Sequence, residues 1–253
     1  MPRMRHVRPD GSVWVRTFPL TCLHDHTSSA HVHEWDQLTY ATSGVMHVHT
    51  DSASWLVPPH RAVWLPAGVE HTEQMHAPVS VRTLYLAPKL AKALPRECCI
   101  VNIPPLMREL ILHICRIGVL DRRIPTQAHL ISVLLDELVG VSDVPLQLPM
   151  PRDPRARCLA VSLQAAPDDD GSVAALSRRA GASRRTMERL FLAETRMTVG
   201  EWRRRLRLLH GVHNLARGES VANAALDAGY ASTSAFIAAF KRMFGMTPSR
   251  YSV

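Results

Sequence analysis

Two groups of residues in this 253-residue chain have types and spacings suited to chemistry. The first is histidine, of which ten of fourteen lie between His6 and His76. Within that stretch His31, His33, Trp35 and Gln37 alternate, so on an extended strand they project to one face. Neutral imidazole is in general a ligand for divalent metals such as Zn or Ni. The same side chains can instead line a pocket without metal. For His24, His26, His47, His49, His60 and His76 the expectation is an exposed strand or loop position. His47 and His49 share a strand face, so a fortuitous surface cluster is the alternative expectation. The second group is centred on arginine. Arg184, Arg185, Glu188 and Arg189 fall on the outward side of a helix whose inward side carries Met187, Leu190 and Phe191. Arginine presents a fork of donors that fits guanine edges and phosphates, so this face suits a DNA major groove.

That helix needs a partner to seat it. Val173, Leu176 and Ala180 recur at helical spacing, Gly181 ends their helix, and Ser183 caps the next. A second copy follows: Val221, Ala224, Ala225 and Ala228, then Gly229-Tyr230-Ala231, then Ser232 as cap with Phe236 and Phe240 inward. The offset is 49 residues both from Ser183 to Ser232 and from Phe191 to Phe240. Between the copies, residues 199–216 read as one helix, with Trp202, Leu206, Leu209 and Val212 or His213 on one side and Arg203, Arg204 and Arg207 around the other. Such a rod spans about 27 Å. It can hold two recognition helices apart for successive major grooves, which repeat about every 34 Å.

At these residues the chain resembles the AraC/XylS family of bacterial transcription regulators. The resemblance covers the last hundred residues or so: Ala180-Gly181, Ser183, Arg189-Leu190-Phe191, Ala228-Gly229-Tyr230, Ser232, Phe236, Phe240-Lys241 and the closing Gly245-Met246-Thr247-Pro248-Ser249-Arg250-Tyr251. It implies base-edge contacts from Arg185, Glu188 and Arg189 in the first recognition helix and from Thr233, Ser234, Ile237 and Lys241 in the second. Arg184, Lys241 and Arg242 are better suited to phosphates. Ala235, Ile237, Ala238 and Ala239 offer no side-chain hydrogen bonds, so most base preference should come from the first helix.

Charge is divided unevenly. Residues 1–152 hold 14 Lys+Arg against 13 Asp+Glu, and residues 153–253 hold 16 against 9, so nearly all of the net +8 sits in the C-terminal part. A polyanionic partner for that half alone is implied, here double-stranded DNA. No apolar run reaches the roughly 20 residues of a membrane span, and no signal-type core follows the basic start, so a cytoplasmic protein without membrane partners is expected. Cys22, Cys98, Cys99, Cys115 and Cys158 lack metal-ligand spacing. They read as reduced packing thiols, with a redox-sensing pair as the alternative.

Residues 1 to about 20, with Pro2, Pro9, Gly11 and Pro19, suit an arm or edge strand. From residue 21 to 88 short β-rich runs are broken every eight to twelve residues by turn formers, the pattern of an antiparallel barrel or sandwich. Candidate strands are 37–41, 45–49, 54–57, 62–65, 70–75 and 79–86. His31 to Gly44, followed by Pro66-Ala67-Gly68-Val69-Glu70-His71, resembles the two motifs of the cupin superfamily of small β-barrels. That resemblance places metal ligands at His31, His33, residue 37 and His71, with Gln37 where the family usually has Glu. Two helices follow, over 105–120 with Leu106, Leu110, Ile114 and Ile117, and over 125–139 with Leu130, Ile131, Leu134, Leu135 and Leu138. In the family that the C-terminal part resembles, helices after the barrel often form the dimer contact, so the resemblance assigns these two to a homodimer contact; the alternative is that they simply cover the barrel.

Prolines at 145, 149, 151 and 154 mark a linker denied regular hydrogen-bonded structure. A helix over 155–166, with Leu159, Val161, Ser162 and Leu163 near its core face, opens the last domain, and Asp168-Asp169-Asp170 is placed away from DNA.

The expected architecture is an α+β multidomain chain. A cupin-like antiparallel β-barrel with its helices serves effector binding and dimerisation over 1–142. A Pro-rich linker occupies 143–153, and an all-α domain of two helix-turn-helix units joined by a long helix occupies 154–253. The function expected is a transcription regulator controlled by a small molecule or metal in the barrel, with RNA polymerase as a candidate partner. The rivals are a metal-dependent cupin enzyme fused to a DNA-binding tail and an architectural DNA-binding dimer with an empty barrel.

Overall fold

The computed structural model describes residues 11–59, 61–88, 90, 94–139, 146–245 and 247–251. Pro2, Pro9, His6, His60, Ser142, Asp143, Pro145 and Met246 lie outside them. The N-terminal part is one antiparallel sheet with two helices. In chain order it comprises β1 (Val13–Cys22), β2 (His26–Thr27), β3 (Asp36–His49), β4 (Ala53–Val57), β5 (Arg61–Leu65), β6 (Thr72–Leu86), β7 (Cys99–Asn102), α1 (Pro105–Ile117), β8 (Val119–Asp121), α2 (Pro125–Val139) and β9 (Gln147–Pro149). The main path runs β7-β5-β3-β6-β1-β8, with β2 on β6 and β4 between β3 and β9. Of the stretch expected to be an arm or edge strand, the described part from Gly11 on is largely β1, paired on both sides, by β6 and β8.

The expected strands 37–41 and 45–49 are one long strand, as are 70–75 and 79–86. Their turn-like middles are register shifts between Ala41, Ser43 and Val45 that bend the ladder without ending it. Gly44 sits at the bend with φ 72°, and a Cβ there would lie 2.2 Å from the Pro78 carbonyl oxygen. Before the bend the strand alternates cleanly. Leu38 and Tyr40 join a core with Met107, Leu110, Ile111 and Ile114 of α1 and with Ile131, Leu134 and Leu138 of α2. Gln37 and Thr39 face the other side, still buried, where the Thr39 and Thr83 hydroxyls bond at 3.1 Å.

The face of α1 is rotated from expectation: Leu106 is 60% exposed and Ile117 38%, while Met107 and Ile111 are buried. The 107/110/111/114 set is the stripe that a helix lying on a sheet buries, and the helix stops at Gly118. Both helices thus cover the sheet through their main apolar faces. The expected linker also departs from expectation. Leu146, Leu148 and Met150 are buried, and β9 pairs with β4, Ala53 opposite Pro149 and Trp55 opposite Gln147. Alternating apolar residues drive this edge strand into the core, and an edge tolerates proline because one side needs no N–H donor.

The helical part contains α3 (Pro154–Ala165), α4 (Val173–Arg179), α5 (Arg184–Thr195), α6 (Val199–Ala216), α7 (Val221–Asp227), α8 (Thr233–Phe244) and α9 (Pro248–Tyr251). In α3 the buried residues are Ala156, Leu159, Ala160 and Leu163, whereas Val161 is 53% exposed and Ser162 is exposed. The alanines, not Val161, set the face because α3 packs closely. Phe191 and Trp202 meet edge to face, and Phe236 and Phe240 likewise, inside a core that continues into the sheet through Trp55, Leu56 and Leu148. Trp202 donates its indole N–H to the Pro149 carbonyl at 2.6 Å, so β9 is a seam between the two parts.

Candidate functional site

The two helix-turn-helix units repeat the same local chemistry. Ser183 and Ser232 each cap a 12-residue helix, accepting from Thr186 N and Ala235 N. Gly181 and Gly229 take φ 73° and 71°, ending α4 and α7 in the left-handed region that glycine enters freely. One residue lies between glycine and serine in the first turn and two in the second. On the rod, Gly211 lets α8 of the second unit pack closely: a Cβ there would lie 2.5 Å from the Phe236 ring.

Arg184, Arg185 and Arg189 are exposed on α5. Glu188 departs from its expected place among the readers. Its carboxylate accepts the Val199 backbone N–H at 3.0 Å, a free donor at the start of α6, so it ties α5 to the rod. On α8, Ser234, Lys241 and Arg242 are exposed, and Thr233 and Ile237 are half-buried. Arg207 is structural: it donates to the carbonyls of Pro167, Asp169 and Gly229, clamping the Asp168-Asp169-Asp170 loop to the second turn. Asp169 also pairs with Arg179 at 3.0 Å.

In the sheet, His31, His33 and His71 come together as expected, by a different route. No continuous strand carries His31, His33, Trp35 and Gln37, since β3 begins only at Asp36. Instead His31 and His71 exchange both backbone hydrogen bonds at 3.0 Å, and Gly68 N–H binds the His33 carbonyl at 2.9 Å. Asp36 fastens the Pro66-Ala67-Gly68 turn by accepting from Ala67 N at 2.8 Å. The segment carrying His31 and His33 is thereby laid beside the turn that carries His71. Trp35 does not join them and lies under the Arg16 guanidinium.

The ligand-type nitrogens of the three histidines all lie within 4.8 Å of one another. His31 Nδ1 bonds the Ser29 carbonyl at 2.8 Å and His71 Nδ1 the Val69 carbonyl at 3.0 Å. A ring N–H donated to a carbonyl leaves Nε2 with its lone pair, the arrangement that orients metal-ligating histidines. The Nε2 atoms of His33 and His71 are buried without a partner. Burial, and then the neighbouring His31 and His71, lowers the His33 pKa to about 4, and burial lowers that of His71. Both rings are therefore neutral and able to donate near neutral pH.

Gln37 stands outside this triad. Its amide N–H₂ donates to Thr39 Oγ1 at 2.9 Å and to Glu73 Oε1 at 2.7 Å. Glu73 is the acidic residue that the sequence reading missed. It lies two residues after His71 on β6, so period-two alternation could have found it. Burial raises its pKa, against the pull of His31 and the Gln37 bond. Tyr85, also missed, sets its ring 5.0 Å from that of His33, and burial and Glu73 raise its pKa. The interior thus has three imidazoles, an amide, a carboxyl and a phenol, a set suited to a divalent ion or a small polar molecule.

His24 and His26 are exposed as expected, but His47, His49 and His76 are half-buried beneath α6. The surface-cluster expectation fails because the helical part covers that face.

Two helix-turn-helix units packed against a sheet with a polar interior define a DNA-binding protein with a sensor domain. Residues 17–139 match the AraC-like ligand binding domain and residues 176–252 a helix-turn-helix domain. The chain is 36% identical over 234 residues to the HTH-type transcriptional regulator NimR of Escherichia coli (strain K12), spanning 91% of this chain and 85% of that protein. It is 35% identical over 104 residues to the regulator RipA of Corynebacterium glutamicum, covering 41% and 31%. Among solved structures, ToxT of Vibrio cholerae aligns over 96% of this chain and 95% of its own at 13% identity, with a TM-score of 0.39. The chain belongs to the AraC-type family of helix-turn-helix transcription regulators, with an AraC-like ligand-binding domain ahead of its DNA-binding helices.

Proposed function

We propose that the effector site is the interior at His31, His33 and His71, and that a divalent ion of the Zn or Ni kind occupies it, alone or as the anchor of a small polar effector. The observation that carries this is the pair of buried, unpartnered Nε2 atoms on His33 and His71, with His71 aimed by its own backbone hydrogen bond. When bound, such an ion supplies a Lewis-acid centre with a position for water or an effector oxygen. Gln37 holds Glu73 beside it, and Thr39, Thr83 and Tyr85 provide polar walls. The family relatives are transcription regulators, which favours signalling over turnover at this site, so we infer that the protein is not an enzyme.

On the DNA side, Arg185 and Arg189 are assigned to base edges and Arg184, Lys241 and Arg242 to phosphates, with Ser234, Thr233 and Ile237 as lesser contacts of α8. Glu188 is assigned to positioning α5. The functional division is 1–142 for the effector and dimer domain, 143–153 for the connection and 154–253 for DNA binding, with β9 anchoring the connection to the sheet. Leu106, Val133 and Val139 remain exposed on α1 and α2 and support a homodimer contact there. The regulatory role supports a cytoplasmic location and makes RNA polymerase a candidate partner.

The test is metal analysis of purified protein beside the His33→Ala variant. The proposal expects Zn or Ni in the former and a lower content in the latter, with a weaker response of the variant's DNA affinity to added metal. Equal metal content and equal response in both would overturn it.

A further inference from the structure

A second set of histidines meets where the sheet touches the helical part. His47 of β3, His76 of β6 and His213 of α6 offer ring nitrogens that all lie within 4.8 Å of one another. The ring centroids are 5.2 Å apart for His47 and His76, 5.4 Å for His47 and His213, and 5.0 Å for His76 and His213. His47 Nε2 stands 3.3 Å from His213 Nδ1. His49, His210 and Gln74 line the same cavity, about 300 Å³ in volume. The three imidazoles come from both parts of the molecule, so the cluster exists only while the parts are docked.

Imidazoles this close cannot all carry protons without mutual repulsion. Burial, followed by the neighbouring histidines, lowers the pKa of His47 and takes that of His213 to about 3, and burial lowers that of His76. Lone pairs are therefore available at neutral pH. A cation is the partner that satisfies several of them at once, because one proton can bridge at most one pair of nitrogens. Borderline divalent transition ions suit imidazole and accept three such ligands with a fourth position open.

We propose that His47, His76 and His213 form an interdomain site for a divalent cation of the zinc, nickel or cobalt class, with its remaining position open to water. The site shares no residue with the His31, His33 and His71 triad and does not depend on it. His213 lies two residues after Gly211, the position against which Phe236 of α8 rests. An ion there ties β3 and β6 to the helix that carries both helix-turn-helix units, and so fixes their orientation on the sheet.

The experiment uses full-length His33→Ala protein, stripped of metal, so that the His31, His33 and His71 triad is disabled. Co²⁺ is titrated in while its d–d absorption and the thermal midpoint are followed. The expected result is one equivalent of Co²⁺ bound with a rise in midpoint. Adding His213→Gln, or separately His76→Gln, weakens binding by at least about 10-fold, the loss that even outer-shell changes at metal sites cause. Adding His113→Gln, on an exposed part of α1, leaves binding unchanged. The circular dichroism of the metal-free variants reports folding, and the sheet-side His76→Gln carries the test if His213→Gln fails to fold. Absence of Co²⁺ binding in the His33→Ala protein, or binding that survives both His213→Gln and His76→Gln, would overturn the proposal.

Discussion

The sheet builds its candidate site from separate segments, whereas the helical part lays each half of its candidate site along a single helix, α5 or α8. His31 and His71 are joined by backbone hydrogen bonds across 40 residues of chain, while Arg184, Arg185 and Arg189 lie within two turns of α5. A site of the first kind depends on the docking of turns and the bend of strands. A site of the second kind depends on one cap and one core face. The sheet site should therefore be lost to backbone changes far from its ligands, and the helix site chiefly to changes on its own surface.

The largest effects should come from glycines. Gly44→Ala places a methyl against the Pro78 carbonyl in a left-handed backbone conformation. It should cost about 1–3 kcal/mol of stability and abolish metal binding by the triad. Gly211→Ala pushes into the Phe236 ring and should cost about 1–3 kcal/mol, with loss of DNA binding ahead of loss of metal. Calorimetry with metal and DNA titrations on each variant would check this, and loss of both activities together in both variants would erase the contrast between the two parts.

Next come the reading heads. Arg185→Ala should cost about 1–3 kcal/mol of DNA binding and relax base preference at one position. Lys241→Ala should weaken binding to all sequences alike and reduce the salt slope by about 1. Equal loss of sequence preference from both would contradict the division of labour between α5 and α8. Glu188→Gln sharpens the point: it should loosen the start of α6 while leaving base preference in place, as read by thermal unfolding beside binding-site selection.

A smaller effect concerns acid. In metal-free protein the folded-state pKa of His213 is about 3, and those of His47 and His76 are lowered. The unfolded chain takes up these protons below about pH 6.5, so it binds more protons than the native state in that window. Stability should fall as pH drops from about 6.5 toward 3, and it should be insensitive to these groups above 7. Thermal midpoints of metal-free protein across that range check the sign, and His213→Gln should flatten the slope.

The difference between the parts also explains what could be read from the chain. Helix caps, glycine turns and the 49-residue echo are local, so α4, α5, α7 and α8 were legible at Ser183, Gly181, Ser232 and Gly229. Glu188 misled because helical spacing locates a side chain on a face but not the orphan N–H it satisfies. In the sheet, strand positions were legible from alternation, but Gly44 read as a break although it is a bend. The His31, His33 and His71 grouping came from a family resemblance that includes the Pro66-Ala67-Gly68 turn, and what was invisible is the Asp36 carboxylate that fastens the turn at Ala67. Glu73 was within reach of period-two counting from His71. His213 was not, because its partners lie 137 and 166 residues away on another part of the chain.

Occupancy of the sheet's histidine triad is proposed to change DNA binding by the helices. Its most direct test is the affinity of the His213→Gln protein, whose triad is intact, for a labelled duplex selected from genomic fragments, with and without Zn²⁺. A change of at least about 5-fold is expected, the lower end of ordinary coupling between sites, and it is lost when His33→Ala is added. An affinity that Zn²⁺ leaves unchanged, or one that shifts equally in both proteins, would contradict it.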